Sequence, residues 1–404
     1  MTKGFEQIKE HCVHQSRIGE KVLDGFLMNF IGQRERMDQK MNAYEKKYRH
    51  VIRKMPEGFF PTAMGEIIIG KALAHHGVIH KYLKNVQLLS LDPAERAFLE
   101  FQANNPWRYC FAYIAGHPAK EFFLLRDAFV EDEFLLYSPG MEGFWAEGRK
   151  QDLYFLLVGF NGQCWQTYGV IVAMRSFDPD DIYFYGAEIF SEVDSDAALM
   201  ESVYKDPMPY LMLACGMEYP IVMSGDQVLR QMVAVDEINS IETEKLKKHF
   251  SIQWNKDIYR ISHKEWSGPP CFASAYYNEK RGELSRFAMT REGFDALTRM
   301  LIQSGLHIGG EEDYSVGMSM LMTMQEILNK KIKLNEYEKY FPEKNDNTVP
   351  QKELDNINRF MNLLLPYINA GTQPDLSTLA RQAGIDPEEA QSLYDQLKNK
   401  FGRG

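Results

Sequence analysis

Cysteine is scarce in this chain and scattered: Cys12, Cys110, Cys164, Cys215 and Cys271 are five residues in 404, with no CxxC pair among them. Such spacing offers neither a zinc ribbon nor the even set of a disulfide-stapled domain. Several lie in apolar runs, as in Tyr109-Cys110-Phe111 and Leu213-Ala214-Cys215, where a thiol behaves as a small core hydrophobe. All five are expected to be reduced, which points to a cytoplasmic compartment.

Long apolar runs are missing too. The longest, such as Leu153–Gly159, fall far short of the ~20 residues that cross a bilayer. The opening MTKGFEQIKEHC lacks the apolar core of a signal peptide, so the chain is expected to be neither secreted nor membrane-anchored. A positive overall charge is also lacking. At −10, the molecule as a whole is not built to coat nucleic acid or an anionic membrane.

Local signatures of catalysis are absent or broken. No G-x-S-x-G elbow occurs, and Ser224-Gly225-Asp226 reads as a turn. Gly65–Ala72 (GEIIIGKA) approaches the phosphate-binding P-loop, but Ala72 replaces the hydroxyl that would hold magnesium and no strand precedes it. A helix whose glycines permit close packing fits that segment better. His75, His76 and His80 form one histidine cluster, without the glutamate of H-E-x-x-H and with Gly77 breaking the helix between them. His11, Cys12 and His14 form a second. Cys164 follows a hairpin turn, and His117 or His263 could approach it only through the fold. No catalytic residue, metal ligand or cofactor is assigned from sequence, and whether the chain is an enzyme stays open.

What remains is an ordinary globular composition, 45% hydrophobic and 25% charged, long enough for two or three domains. The pattern predicts an α+β protein: a helical N-terminal region at 1–103, an antiparallel β-rich domain with closing helices at 104–341, a proline-bounded linker at 342–350 (PEKNDNTVP), and a three-helix module at 351–404. In the head, an amphipathic helix spans Phe5–Met28 and a basic one Gln33–Lys54. Thr62 caps a helix to about His76, and Asp92-Pro93 with Glu95 starts another.

Predicted strands are Arg108–Ala115, Glu121–Asp127, Phe134–Ser138, Leu153–Phe160, Cys164–Arg175, Ile182–Phe190, Tyr210–Cys215, Gln227–Asp236, Ile258–His263, Cys271–Tyr277 and Glu283–Met289. Asn161-Gly162 predicts a hairpin with a type I′ turn. A helical interruption is expected near Ile241–Phe250, a Thr290-capped helix through Ser304, and a methionine-rich helix at Glu311–Lys331. One sheet or two is not decided by pattern alone.

In the tail, Leu354, Ile357, Phe360, Met361 and Leu364 form one helical stripe, with Pro366 expected to end or kink it. Asp375 caps a short helix and Gly384 stops it. Asp386-Pro387-Glu388-Glu389 then starts a last helix presenting Ala390, Leu393, Leu397 and Phe401. The stretch Leu376–Phe401 (LSTLARQAGIDPEEAQSLYDQLKNKF) resembles the helix-turn-helix superfamily, including its Ala-x-x-x-Gly-Ile turn. That resemblance implies a trihelical fold with its second motif helix in a DNA major groove. The sequence departs from it in charge. Glu388, Glu389 and Asp395 face Lys398 and Lys400, and no basic wing follows, so a protein-contact module fits better than a DNA reader.

One surface stands against the acidic background. Arg34, Arg36, Lys40, Lys46, Lys47, Arg49, Arg53 and Lys54 face only Glu35, Asp38 and Glu45, with Tyr44 and Tyr48 interleaved. An opposite run, Asp178, Asp180, Asp181, Glu188, Glu192, Asp194, Asp196 and Glu201, contains no lysine. The resulting expectation is a non-catalytic binding or scaffold protein with protein partners and no membrane. Its rivals are an enzyme with residues dispersed over strand ends, and a nucleic-acid-associated regulator using the basic helix with the tail.

Overall fold

Local signals set most of the helix starts in the head. The computed structural model describes residues 2–130, 132–219, 221–224, 227–265, 273–332, 337, 340–341, 351–369, 372–387, 390–391 and 393–395, and the chain divides into units Met1–Tyr340 and Phe341–Gly404. α1 (Thr2–Val22) runs through a π-helical turn, Leu23–Leu27, into α2 (Met28–Arg34). Arg36 reverses the chain in the left-handed region (φ +52) and α3 (Met37–Ile52) follows. α4 (Phe59–Leu73) is apolar on all sides, and most of it is buried. It begins before the expected Thr62 cap: Gly58 (φ +83) makes the entry, and Thr62 Oγ1 donates back to Gly58 O at 2.9 Å. A 3₁₀ turn at Ile79–Lys81 and α5 (Val86–Leu89) lead to α6 (Pro93–Asn104). There the expected capping box forms, with Asp92 accepting from Glu95 N at 2.9 Å and Glu95 from Asp92 N at 3.2 Å.

The β-rich middle holds two six-stranded sheets. The first contains β1 (Arg108–Ala119), β2 (Phe122–Asp127), β3 (Glu133–Tyr137), β4 (Leu153–Phe160), β5 (Trp165–Thr167) and β6 (Val172–Met174), with α7 (Met141–Ala146) between β3 and β4. Its order is β1-β2-β3-β5-β4-β6, and β1 also pairs with β4 from Arg108↔Val158 to Ala112↔Tyr154. Five strands therefore close on themselves, with a single parallel step, β3–β5. Side chains alternate between two faces. Cys110, Ala112, Phe123, Leu125, Leu136 and Leu156 pack inside the ring, whereas Tyr109, Phe111, Phe155 and Leu157 pack against helices of the head. Both faces are buried, which is why β4 reads LYFLLVGF without a polar break.

Asn161-Gly162 turns the chain between β4 and β5 as expected, but not as a type I′ turn, which needs positive φ at both residues. Only Gly162 is positive (φ +94), and Asn161 Oδ1 instead collects the N–H groups of Gln163 and Cys164 at 2.8 and 2.9 Å.

From there α8 (Pro179–Ile189), α9 (Asp196–Lys205) and α10 (Met208–Leu211), continued by a 3₁₀ stretch Met212–Glu218, pack into the core shared with the head. A two-stranded ribbon, β7 (Met223–Ser224) and β8 (Gln227–Val228), precedes the second sheet. That sheet contains β9 (Arg230–Glu237), β10 (Phe250–Asn255), β11 (Ile258–His263), β12 (Ala273–Asn278), β13 (Glu283–Ala288) and β14 (Tyr314–Gly317), in the order β10-β11-β12-β13-β9-β14 and antiparallel throughout. α11 (Thr243–Leu246) lies before β10, and α12 (Arg291–Gln303), capped by Thr290, covers one face. Beneath α12, fully buried Arg286 donates from Nε to Asp236 Oδ2 at 2.7 Å and from Nη1 to Thr298 Oγ1 at 2.5 Å. α13 (Met318–Leu328) returns to the first core.

Several expectations need correcting. Ile182–Phe190 is helix rather than strand, because Asp178, Pro179 and Asp181 form a capping box that outweighs its aromatic composition. Tyr210–Cys215 is helical as well, a short, fully apolar run whose type periodicity cannot decide. Cys164–Arg175 is two short strands rather than one. The interruption at Ile241–Phe250 shrinks to α11, and Glu311–Lys331 begins as β14 before becoming α13. Cys271 and the Gly225-Asp226 turn lie outside the described residues.

In the second unit, α14 (Gln351–Asn369) continues past Pro366, and α15 (Leu376–Ala383) is capped by Asp375, with Gly384 (φ +74) ending it. Phe360, Leu364, Leu379, Ala380, Ala383 and Ala390 form its core. The linker 342–350 and the Glu388, Glu389, Lys398, Lys400 and Phe401 positions lie outside the described residues. Among those that are described, no helix is long and apolar enough to cross a membrane.

Candidate anion-binding cleft

The exit of α4 determines where the cleft forms. After Leu73 the chain stops being helical and runs beside the entry to β1, Ala74 bridging Trp107, with Trp107 N donating to Leu73 O at 2.9 Å and His75 N to Trp107 O at 3.1 Å. His75 and His76 therefore sit in a turn after Ala74, closed by Gly77 N donating to Ala74 O at 2.6 Å, with His76 in the left-handed region (φ +64), and cannot share a helix face with His80. Around this segment lies a cleft of about 580 Å³. Lys40 of α3, Gly70 and Lys71 of α4, Tyr109 of β1, and Glu201, Tyr204 and Lys205 of α9 are among its walls.

The floor is unusual in its hydrogen bonding. Tyr109 is buried, yet its hydroxyl has no partner among the described residues. Gly70 makes this approach possible, since a Cβ there would lie 2.6 Å from the Tyr109 hydroxyl. One turn earlier on α4, buried Glu66 accepts Val170 N at 2.7 Å through Oε2, while its Oε1 has no partner among the described residues. Burial pushes the Glu66 carboxyl up to about 8, with the Val170 amide opposing, so it is mostly neutral at pH 7. Burial, followed by proximity to Glu66, drives Tyr109 well above the usual phenol value, so it stays a neutral hydroxyl.

The walls are cationic. Lys40, Lys71 and Lys205 have no carboxylate within ion-pair distance among the described residues. The Lys40 ammonium stands 5.3 Å from the centre of the Tyr44 ring and that of Lys205 5.5 Å from the Phe190 ring. Burial lowers the Lys40 pKa, Asp206 opposes this and Lys71 adds to it. Asp206 is itself held by the Tyr44 hydroxyl. The two wall carboxylates are engaged: Glu35 accepts the Tyr82 hydroxyl at 2.7 Å, and Glu201 Oε2 lies 3.4 Å from His76 Nε2. The ring centres of His75 and His76 are 4.0 Å apart, and Tyr204 neighbours both His75 and Tyr109.

Of the basic residues singled out in the sequence, Lys40 alone lines this cleft. Arg34 sits over Phe30, Arg36 occupies the α2–α3 turn, Lys47 lies over Tyr48, and Lys54 pairs with Glu326 at 2.6 Å. Lys46, Arg49 and Arg53 are exposed, whereas Tyr44 and Tyr48 are buried. The P-loop-like segment is interior α4, its glycines packing against Met28 and Tyr109. Sequence reasoning missed Tyr109, Lys71, Tyr204 and Lys205, which come from elements far apart in the chain; Gly70 inside an apolar helix is the one local sign. Comparison with known proteins finds no matching family model, and no curated protein or solved structure similar to the chain.

Proposed function

We propose that this protein works by binding, and that the cleft takes a small organic oxyanion, a carboxylate or phosphate ester. One observation carries the reading: a buried Tyr109 hydroxyl with no hydrogen-bond partner among the described residues lines the same cleft as Lys40, Lys71 and Lys205, which have no carboxylate within ion-pair distance among those residues. A buried hydroxyl without a partner costs about 1–3 kcal/mol, which a ligand oxygen would recover. The lysines supply charge-assisted hydrogen bonds, stronger than those between neutral groups. The cleft's lining offers histidines and carboxylates, and neither cysteine nor serine for a covalent intermediate.

The C-terminal unit belongs to the same reading as a protein-contact module of helix-turn-helix type. The acidic balance of Leu376–Phe401 supports contact with protein rather than with phosphates.

Calorimetric titration of the full chain with inorganic phosphate and with citrate at low salt tests the cleft. Saturable binding is expected, weakened about tenfold or more in Lys40→Met and in Lys71→Met. Affinity unchanged in both variants would place the anion elsewhere.

A further inference from the structure

A second constellation lies apart from the cleft, where α1 crosses the barrel. Cys12 and Cys164 are 152 residues apart in sequence, and their Sγ atoms are 3.3 Å apart. Both are buried free thiols. They share an apolar cluster with Phe122 and Tyr137. Neither histidine considered for Cys164 reaches it: His117 pairs with Glu142 at 2.9 Å, and His263 packs edge-on against Phe250.

Three features fix the pair. The Asn161 side chain locks the loop that carries Cys164, as its Oδ1 accepts the Cys164 N–H. Its Nδ2 reaches Cys12 Sγ at 3.2 Å and Cys164 Sγ at 3.7 Å. On the other side, Gln166 Nε2 donates to Cys12 O and Ser16 Oγ, both at 3.1 Å, and His11 Nε2 contacts Asn161 O at 2.8 Å. A cavity of about 380 Å³, lined in part by Val13, Ser16 and Gln166, opens beside them.

We propose that Cys12 and Cys164 form a dithiol site that a small hydroperoxide converts into a disulfide, fastening α1 to the β4–β5 hairpin. Closing 3.3 Å to the ~2.05 Å of a disulfide bond needs only a small movement of the two side chains. Cys164 is the attacking sulfur. It receives the Cys12 S–H, the Asn161 amide and the Tyr137 N–H, which together hold its pKa below the ordinary thiol value. The Asn161 nitrogen lies nearer Cys12, whereas the Cys12 S–H and the Tyr137 amide act on Cys164.

The steps balance. The Cys164 thiolate attacks the peroxide oxygen and the O–O bond breaks, leaving a sulfenic acid and releasing an alcohol, or water from hydrogen peroxide, once the departing oxygen is protonated. Cys12 then attacks the sulfenyl sulfur, the S–O bond breaks, and the departing hydroxide takes the Cys12 proton as water. Two thiols lose two electrons, and the peroxide accepts both.

The full chain, treated with hydrogen peroxide while folded and then labelled with N-ethylmaleimide in denaturant, provides the test. Peptide mapping is expected to recover the Cys12 peptide joined to the Cys164 peptide, with Cys110, Cys215 and Cys271 labelled. In Cys12→Ser, dimedone is expected to trap a sulfenic acid on Cys164. Oxidised wild-type protein is expected to melt at a higher temperature, reversibly with dithiothreitol. Full labelling of both cysteines in wild type, or Cys164 joined to another cysteine, overturns the proposal whether or not the variants fold.

Discussion

Glu66 and Gly169 approach so closely that a Cβ on Gly169 would stand 2.2 Å from Glu66 Oε2. Only glycine lets that loop come down over the carboxyl, leaving Glu66 buried with one main-chain donor, Val170 N.

That confinement makes stability depend on pH. The carboxyl is raised from 4.5 to about 8, so the native state holds a proton that the unfolded chain has released between those values. The contribution is fully present below about pH 4.5 and is lost as pH rises through about 8. At pH 9 the ionised carboxyl costs roughly 3–5 kcal/mol. Asp181, raised to about 7 by burial, adds to the slope at lower pH. Urea unfolding should therefore show wild type losing stability from pH 6 to 9, and Glu66→Gln losing much less. Equal slopes would mean that Glu66 ionises normally.

Tyr109→Phe separates folding from binding. Removing a buried hydroxyl with no partner should leave the free protein as stable as wild type or about 1 kcal/mol more so, by thermal melting. The same variant should bind phosphate or citrate more weakly. Destabilisation without loss of affinity would show that the hydroxyl serves the fold.

Gly70→Ala should be costly despite lying in a helix, where alanine is otherwise favoured. The new Cβ would sit 2.6 Å from the Tyr109 hydroxyl and 3.3 Å from its ring carbon Cζ. Overpacking of this kind costs about 1–3 kcal/mol, measurable by denaturant titration. A stabilised variant would contradict the close approach.

Lys40 predicts the pH profile of binding. Its ammonium is lowered mainly by burial, and a bound oxyanion favours the charged form, so binding takes up a proton once free Lys40 begins to lose its own. Affinity should fall as pH rises toward the ordinary lysine value of about 10.4, and Lys40→Met should flatten that fall. An unchanged profile in the variant would assign the titration to another group.

Arg286 is buried and pairs with the partly buried Asp236, so removing the carboxylate strands a buried guanidinium. Asp236→Ala should cost about 3–5 kcal/mol, and adding Arg286→Met should recover part of it. Chemical denaturation of the single and double variants measures both.

The fold was legible where structure is decided locally. Asp92, Thr290 and Asp375 cap helices because their side chains reach the amides two or three residues on. The alternation in β1 and the apolar run of β4 announce strands. At Ile182–Phe190 a readable start signal, Asp178-Pro179-x-Asp181, competed with aromatic composition and prevailed. β14 has no such local mark, since Tyr314–Gly317 becomes a strand by pairing with Gln231–Val233 and Arg230 of β9. The cleft was less legible still. Lys40 stood out as part of a basic run, but Tyr109, Lys71 and Lys205 meet it only through closure of the barrel and the packing of α9.

Every strand of the closed ring, with β6, is encoded between residues 108 and 174. During synthesis the ring can therefore assemble while the ribosome is still adding β9 to β14. α1 emerges before this ring, and Ile8 and Val13 find full cover only when β2, β3 and the hairpin carrying Cys164 are in place. Until then its apolar stripe stays bare on the nascent chain, a surface that a chaperone could cover.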